Sequence, residues 1–187
     1  MRADARRNRE RIVACALELF AEQGPGVGME DIARGAGLGV GTLYRHFPDR
    51  RALVEEIAAT ALRRYGARLR ELTARDGPRW EVFAEVVDDS TEQPFALIKS
   101  LAEDGAVPRE RTALQDEVDG LLRELVRQVQ DEGTMRRDVG PAEIVEILST
   151  TVCRPGARRG DAISRVVLDG LRAFPEDRTP ARPPGAQ

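Results

Sequence analysis

The chain has 187 residues, 41% of them apolar and 33% charged, with a formal net charge of −3 at pH 7. This is enough to bury the core of one or two small domains, and it argues against a protein coated in basic residues. No apolar run approaches the ~20 residues of a membrane span, and the charged start MRADARRNRER lacks the apolar centre of a signal peptide, so the expected location is the cytoplasm. Aromatic residues make up only 4%, and Arg, Ala, Leu and Glu are abundant, a mixture that favours helix over sheet; no strand-like alternation stands out.

Charge is unevenly spread. Residues 1–51 carry nine Arg against seven acidic residues, whereas the remainder is acidic, which fits nucleic-acid binding confined to the amino-terminal end. Residues 2–11 alone hold five Arg and two acidic groups. Two uses are open for this arm, a solvated terminus or a reach to DNA phosphates or the minor groove, with Arg6 a candidate contact. From about Arg7 to Gln23, the apolar set Ile12, Val13, Ala16, Leu17, Leu19 and Phe20 predicts a helix with a broad buried stripe, ended by Gly24-Pro25-Gly26.

The stretch Met29 to Phe47 predicts two short helices with a tight turn between them. Glu30 and Asp31 suit a first helical turn, Ile32 and Ala33 share a face, and Gly37 supplies the left-handed backbone that stops the helix, with Leu38 packing back onto it. The second helix runs from Val40 to about Phe47, with Gly39 at its cap and Leu43 and Phe47 spaced i, i+4 to point inwards. This is a helix-turn-helix. Glycines 35, 37, 39 and 41 do not form a dinucleotide loop, because the spacing fails and a helix precedes them. On the second helix Val40, Gly41, Thr42 and Arg45 face base edges: Thr offers a methyl and a hydroxyl, Arg45 a bidentate fork for guanine, and Gly41 a close backbone approach. Pro48-Asp49 then breaks the chain, and Asp49 caps a helix from Arg50 to about Ala74. That helix would be roughly 35 Å long at ~1.5 Å per residue, and it links head to body. Arg50 and Arg51 together at a helix amino terminus are disfavoured by the dipole, a cost that a nearby phosphate offsets, so the pair reads as a backbone clamp or as a solvated pair.

The run Ile32-Ala33, Ala36-Gly37, Gly41-Thr42-Leu43-Tyr44, His46-Phe47 and Arg50-x-x-Leu53 resembles the amino-terminal signature of the TetR family of bacterial transcriptional regulators. The likeness covers about residues 7 to 65; beyond that only length and helical texture agree. It implies phosphate contacts for Tyr44 and His46, a palindromic operator, a small-molecule effector that acts through the linking helix, and a dimer formed by the two carboxy-terminal helices. Two departures stand out. Gly28 and Gly39 occupy positions where Ser or Thr often caps, and Arg51 replaces a commonly acidic residue.

Asp76-Gly77-Pro78 marks the boundary to a second domain, with helices expected at Trp80 to Asp89, Pro94 to Glu103, Glu110 to Glu132, Pro141 to Val152 and Asp161 to Phe174. Pro141 at a first helical position and Asp161 as a cap support the last two. Trp80, Phe83, Phe95, Leu97 and Leu101, with Leu121, Leu125 and Met135, are candidates for an apolar effector cavity, with core packing the competing use. Ile144, Ile147 and Leu148, with Ile163, Val167 and Leu171, are candidates for the dimer seam, with intradomain packing the alternative. Gly170 interrupts the final helix, and residues 175–187, rich in proline, are expected to be disordered.

Catalysis is not expected. The sole histidine lies in the DNA-reading helix, and Cys15 and Cys153 are far apart in apolar helical contexts, so no metal or other cofactor is implied. The expected architecture is all-α: a three-helix head at residues 1–50, a linking helix to about 75, and a helical effector and dimerisation domain at 76–174. The expected function is that of a homodimeric repressor released from its operator by an effector. The rival is a helical carrier or enzyme that keeps the head only as scaffold.

Overall fold

The structure, a computed structural model, describes residues 2–102 and 106–173. Glu103 and Phe174, at the expected ends of two helices, and the tail 175–187 lie outside the described residues. The described chain is helical: α1 (Arg2–Gln23), α2 (Met29–Gly35), α3 (Val40–His46), α4 (Arg50–Thr73), α5 (Arg79–Thr91), α6 (Phe95–Leu101), α7 (Arg109–Asp131), α8 (Pro141–Val152) and α9 (Ala162–Leu171). None of these helices is long and apolar enough to cross a membrane. The arm at residues 2–11 is not extended: α1 begins at Arg2, and Asp4–Arg7 and Arg6–Glu10 pair at helical spacing along it.

Two compact units divide the chain, one of residues 1–66 with 93–116, the other of residues 67–92 with 117–187. The first unit is built on one apolar cluster. Ile12, Ala16 and Phe20 of α1, Ile32 of α2, Leu43 of α3, Phe47 and Leu53, Val54 and Ile57 of α4 are buried together, and Ile98 and Leu101 of α6 complete the cluster. Each of these side chains larger than alanine contributes ~1.5–3 kcal/mol of burial. The segment expected to belong with the effector-binding helices thus supplies part of the core of the amino-terminal unit.

In the second unit, α5, α8 and α9 pack on one another. Phe83, Val86 and Val87 of α5, Leu125, Val126 and Val129 of α7, and Ile144 and Leu148 of α8 are buried. Asp161 caps α9 as the sequence suggests: its carboxylate accepts from the Ser164 amide at 2.8 Å and the Arg158 amide at 2.9 Å, and pairs with Arg154. Those amides, then the Arg154 guanidinium, hold the carboxyl well below the usual carboxylate range. Its cap is therefore fully formed above the ordinary carboxylate pKa and is lost only in strong acid. The basic turn at 154–160, with Arg154, Arg158 and Arg159, ties helices together. Arg159 reaches Asp88 of α5 and Glu92 at its C-cap, both at 3.5 Å, and the Gly160 amide donates to Asp88 at 3.1 Å.

One close approach in the first unit fixes a residue type. A Cβ at Gly35 would stand 2.7 Å from Cys15 Sγ and 3.3 Å from a Leu19 methyl, so glycine lets α2 lie against α1. Gly35→Ala is expected to destabilise the chain by about 1 kcal/mol net, overpacking outweighing the gain in helix propensity. In a Cys15→Ala background the same change is expected to become neutral or stabilising. Urea unfolding of the four proteins measures this; an equal effect in both backgrounds would remove the contact as the cause.

Candidate nucleic-acid interface

The turn between α2 and α3 closes on backbone bonds. Gly37, at φ +66°, donates to the Arg34 carbonyl at 3.0 Å, and Leu38 donates to the Ala33 carbonyl at 2.9 Å. This is the Schellman ending that the glycine predicted. Arg11 of α1 adds a side-chain cap, donating to the Ala36 carbonyl at 2.6 Å. Gly39 starts α3 without a side-chain cap, as the departure from Ser or Thr implied; its carbonyl accepts from Thr42 at 2.8 Å and Leu43 at 3.2 Å.

Helix α3 is sharply two-faced. Leu43 and Phe47 are buried at 0% and 1% exposure, while Val40 and Tyr44 stand 42% and 46% exposed. Nothing lies within 4 Å of where a Cβ on Gly41 would sit, so the backbone there faces open space. Thr42 is half-buried and Arg45 exposed. The Arg45 guanidinium lies back along its own helix, bonded to the Gly41 carbonyl and Thr42 Oγ1, both at 3.2 Å. The structure thus gathers Val40, Gly41, Tyr44 and Arg45 on one solvent-facing surface, with Thr42 at its edge. His46 is half-buried, and its carbonyl accepts from Arg9 at 3.1 Å.

The two arginines of the expected clamp both reach main-chain carbonyls of their own unit. Arg50 donates to the Val27 carbonyl at 2.6 Å and the Pro25 carbonyl at 2.5 Å, and its guanidinium stacks 4.6 Å from the centre of the Phe20 ring. Arg51 donates to the Ala106 carbonyl at 2.5 Å. These carbonyl oxygens already offset part of the dipole cost of two cations in a first helical turn. Asp49 does cap α4, accepting from the Ala52 amide at 2.7 Å. Arg6 is exposed on α1 and paired with Glu10 at 3.3 Å.

The apolar residues expected to share a cavity fall in both units. Leu101 is buried in the core of the first, Leu97 packs against that core, and Phe95 meets Tyr65 edge-on at 5.4 Å. In the second unit Phe83 and Leu125 are fully buried, and Trp80 is covered by the Arg172 guanidinium at 4.2 Å. Leu121 and Leu125, with Arg70, Thr73 and Glu124, line a groove of about 240 Å³. Met135 is buried. The seam candidates divide too: Ile144, Leu148 and Leu171 are buried within the unit, Ile147 and Ile163 are exposed, and Val167 is half-buried. Val166, a further seam candidate on the same helix, is 71% exposed. Burial and the Glu18 charge raise the Cys15 thiol, so it stays protonated at neutral pH.

Sequence reasoning also missed Arg9 and Arg11, whose partners lie 37 and 25 residues away and leave no local pattern. The contrast between two arginines provides a check. Arg50→Met is expected to cost about 1–3 kcal/mol in urea unfolding, since two carbonyls lose their donor, while the salt dependence of DNA binding is unchanged. Arg45→Ala is expected to stay within about 0.5 kcal/mol of the parent yet to weaken DNA binding and flatten its salt dependence. The reverse pattern would return Arg50 to the interface.

A model for bacterial regulatory proteins of the tetR family matches residues 12–57, and one for the SbtR-like transcriptional regulator C-terminal domain matches residues 80–173. An HTH-type transcriptional regulator of Staphylococcus aureus strain USA300 is 51% identical over 51 residues. That match covers 27% of this chain, which therefore spans little more than a quarter, 28%, of the relative's length. The crystal structure of a TetR transcription regulatory protein from Mycobacterium vanbaalenii is 34% identical with a TM-score of 0.68, over 92% of this chain and 99% of that one. A TetR transcriptional regulator from Streptomyces coelicolor is 27% identical with a TM-score of 0.64, over 89% and 99%. With family models on both sides of α4 and a relative matched along nearly its whole length, the chain belongs to the TetR family of bacterial transcriptional regulators.

Proposed function

We propose that the protein is a DNA-binding repressor in the bacterial cytoplasm, that it reads a palindromic operator with α3, and that a small-molecule effector releases it. The observation that carries this reading is the two-faced α3: its apolar side is consumed by the core, and its outer side presents Val40, Gly41, Tyr44 and Arg45 to solvent. A helix so held can enter a major groove and offer a methyl, a hydroxyl and a guanidinium to base edges. Tyr44, 46% exposed, would offer its hydroxyl to a phosphate. No catalytic step is assigned to the chain.

Pairing through α8 and α9 supports the twofold operator. Ile163, Val166 and Gly170 repeat at i, i+3 and i+7 along α9, and the space around Gly170 is open, so a second helix meets a flat apolar stripe there. Ile147 on α8 adds a further exposed apolar side chain. The effector would bind in the second unit, where Leu121 and Leu125 line the groove beside Arg70.

Selection of bound fragments from the source genome at physiological salt tests the reading. An enriched inverted repeat is expected, with affinity lost about fivefold or more on Thr42→Ala or Tyr44→Ala, in line with ~1–3 kcal/mol for a base contact. No enrichment, with and without cell extract as a source of effector, would overturn it. Ile163→Asp with Val166→Asp is expected to turn a dimer into a monomer in sedimentation; a dimer that survives both would move the seam elsewhere.

A further inference from the structure

A chain of alternating charges runs through the first unit. It ends at the recognition helix. Arg9 of α1 donates to the carbonyl of His46, the last residue of α3, and its guanidinium lies 4.4 Å from the centre of the Phe47 ring. The same guanidinium is held by Glu56 of α4, through Nε at 3.2 Å and through a second, shorter bond. The other oxygen of Glu56 accepts from Thr60 and Arg63, both at 3.3 Å. Arg63 in turn pairs with Glu110 in the first turn of α7. Burial works against the charge on Glu56, but hydrogen bonds from Arg9 and Arg63 outweigh it and hold the carboxyl below the usual range. It is ionised at neutral pH, and the links are complete there.

We propose that Arg9 and Glu56 are positioning residues for DNA reading, and that the Arg63–Glu110 pair sets how firmly they hold the end of α3. Arg9 is the one side chain described that joins α1, α4 and the carbonyl end of α3 at once. Its fork can satisfy carboxylate and carbonyl together only while Glu56 keeps its orientation, which Thr60 and Arg63 fix from the other side. The far pair is exposed, with Glu110 71% accessible, so it adds little to stability by itself and acts as an adjustable end. Three side chains, Arg63, Glu56 and Arg9, stand between the first turn of α7 and the carbonyl end of α3. This inference rests on the reading of α3 as the DNA-contacting helix.

The test uses the full chain. Hydrogen exchange of a peptide covering residues 40–47 in the DNA-free protein reports how α3 is held. The ratio of affinities for an enriched fragment and for random duplex reports its effect on reading. Glu110→Gln is expected to speed exchange in that peptide about two- to fivefold and to lower the affinity ratio by a similar factor. Simple electrostatics predicts the opposite for DNA, since a negative charge has been removed. Glu56→Gln and Arg9→Lys are expected to act more strongly, and Glu110→Gln to add nothing once Glu56 has been changed. Asp116→Asn, which removes a nearby negative charge outside this chain of contacts, controls for net charge. The proposal is overturned if Glu110→Gln leaves the 40–47 peptide unchanged, or if its effect is as large in the Glu56→Gln background. Should Glu56→Gln unfold the unit, the same cycle with Arg9→Lys decides. If the parent protein enriches no DNA site, the regulator reading fails, while the exchange data still decide the linkage.

Discussion

The structure of the amino-terminal unit depends on the burial of two side chains one helical turn apart. Leu43 and Phe47 insert into the cluster formed by α1, α2, α4 and α6, and their burial fixes the rotation of α3 about its own axis. Rotating α3 to expose either would cost roughly 1.5–3 kcal/mol. The opposite face must then look outward, and it carries Val40, Gly41, Tyr44 and Arg45. The solvent-facing surface of α3 is in this sense a by-product of the core: the apolar spacing decides which residues remain outside.

Arginine supplies the polar half of the same construction. Arg11 closes the end of α2, Arg9 the end of α3, and Arg50 the segment between α1 and α2, each by donating to main-chain carbonyls. Short helices leave many carbonyls without partners, and in a unit whose helices α2 and α3 have seven residues each, side-chain donors take up that role. A planar fork reaches two acceptors where an ammonium meets them singly, which accounts for the use of Arg at these positions. The same logic operates in the second unit, where Arg154 and Arg159 bind the turn before α9 to carboxylates of α5 and to its own cap. Four of the arginines that composition assigns to the amino-terminal end, Arg9, Arg11, Arg50 and Arg51, thus bind main-chain carbonyls of distant segments.

Local signals were legible in the sequence, and long-range ones were not. Gly37 announced the end of α2, Pro141 and Asp161 the starts of α8 and α9, and the spacing of Leu43 and Phe47 the inner face of α3, because each is decided within one or two turns. The affiliation of α6 was hidden, since an apolar heptapeptide carries no mark of which core it will join. The partners of Arg50 and Arg51 were hidden for the same reason: a carbonyl acceptor has no sequence identity. Gly35 looked like one glycine among several, and only the approach of Cys15 distinguishes it. In the second unit, periodicity could not separate Ile144 and Leu148, which are core, from Ile147 and Val166, which face solvent.

The solvent face of α3 is the surface proposed to meet DNA. Amide chemical-shift mapping of the full-length protein against a short duplex carrying its enriched site tests this directly. The largest changes are predicted at residues 39–46. Changes centred on the second unit, with α3 undisturbed, would contradict it.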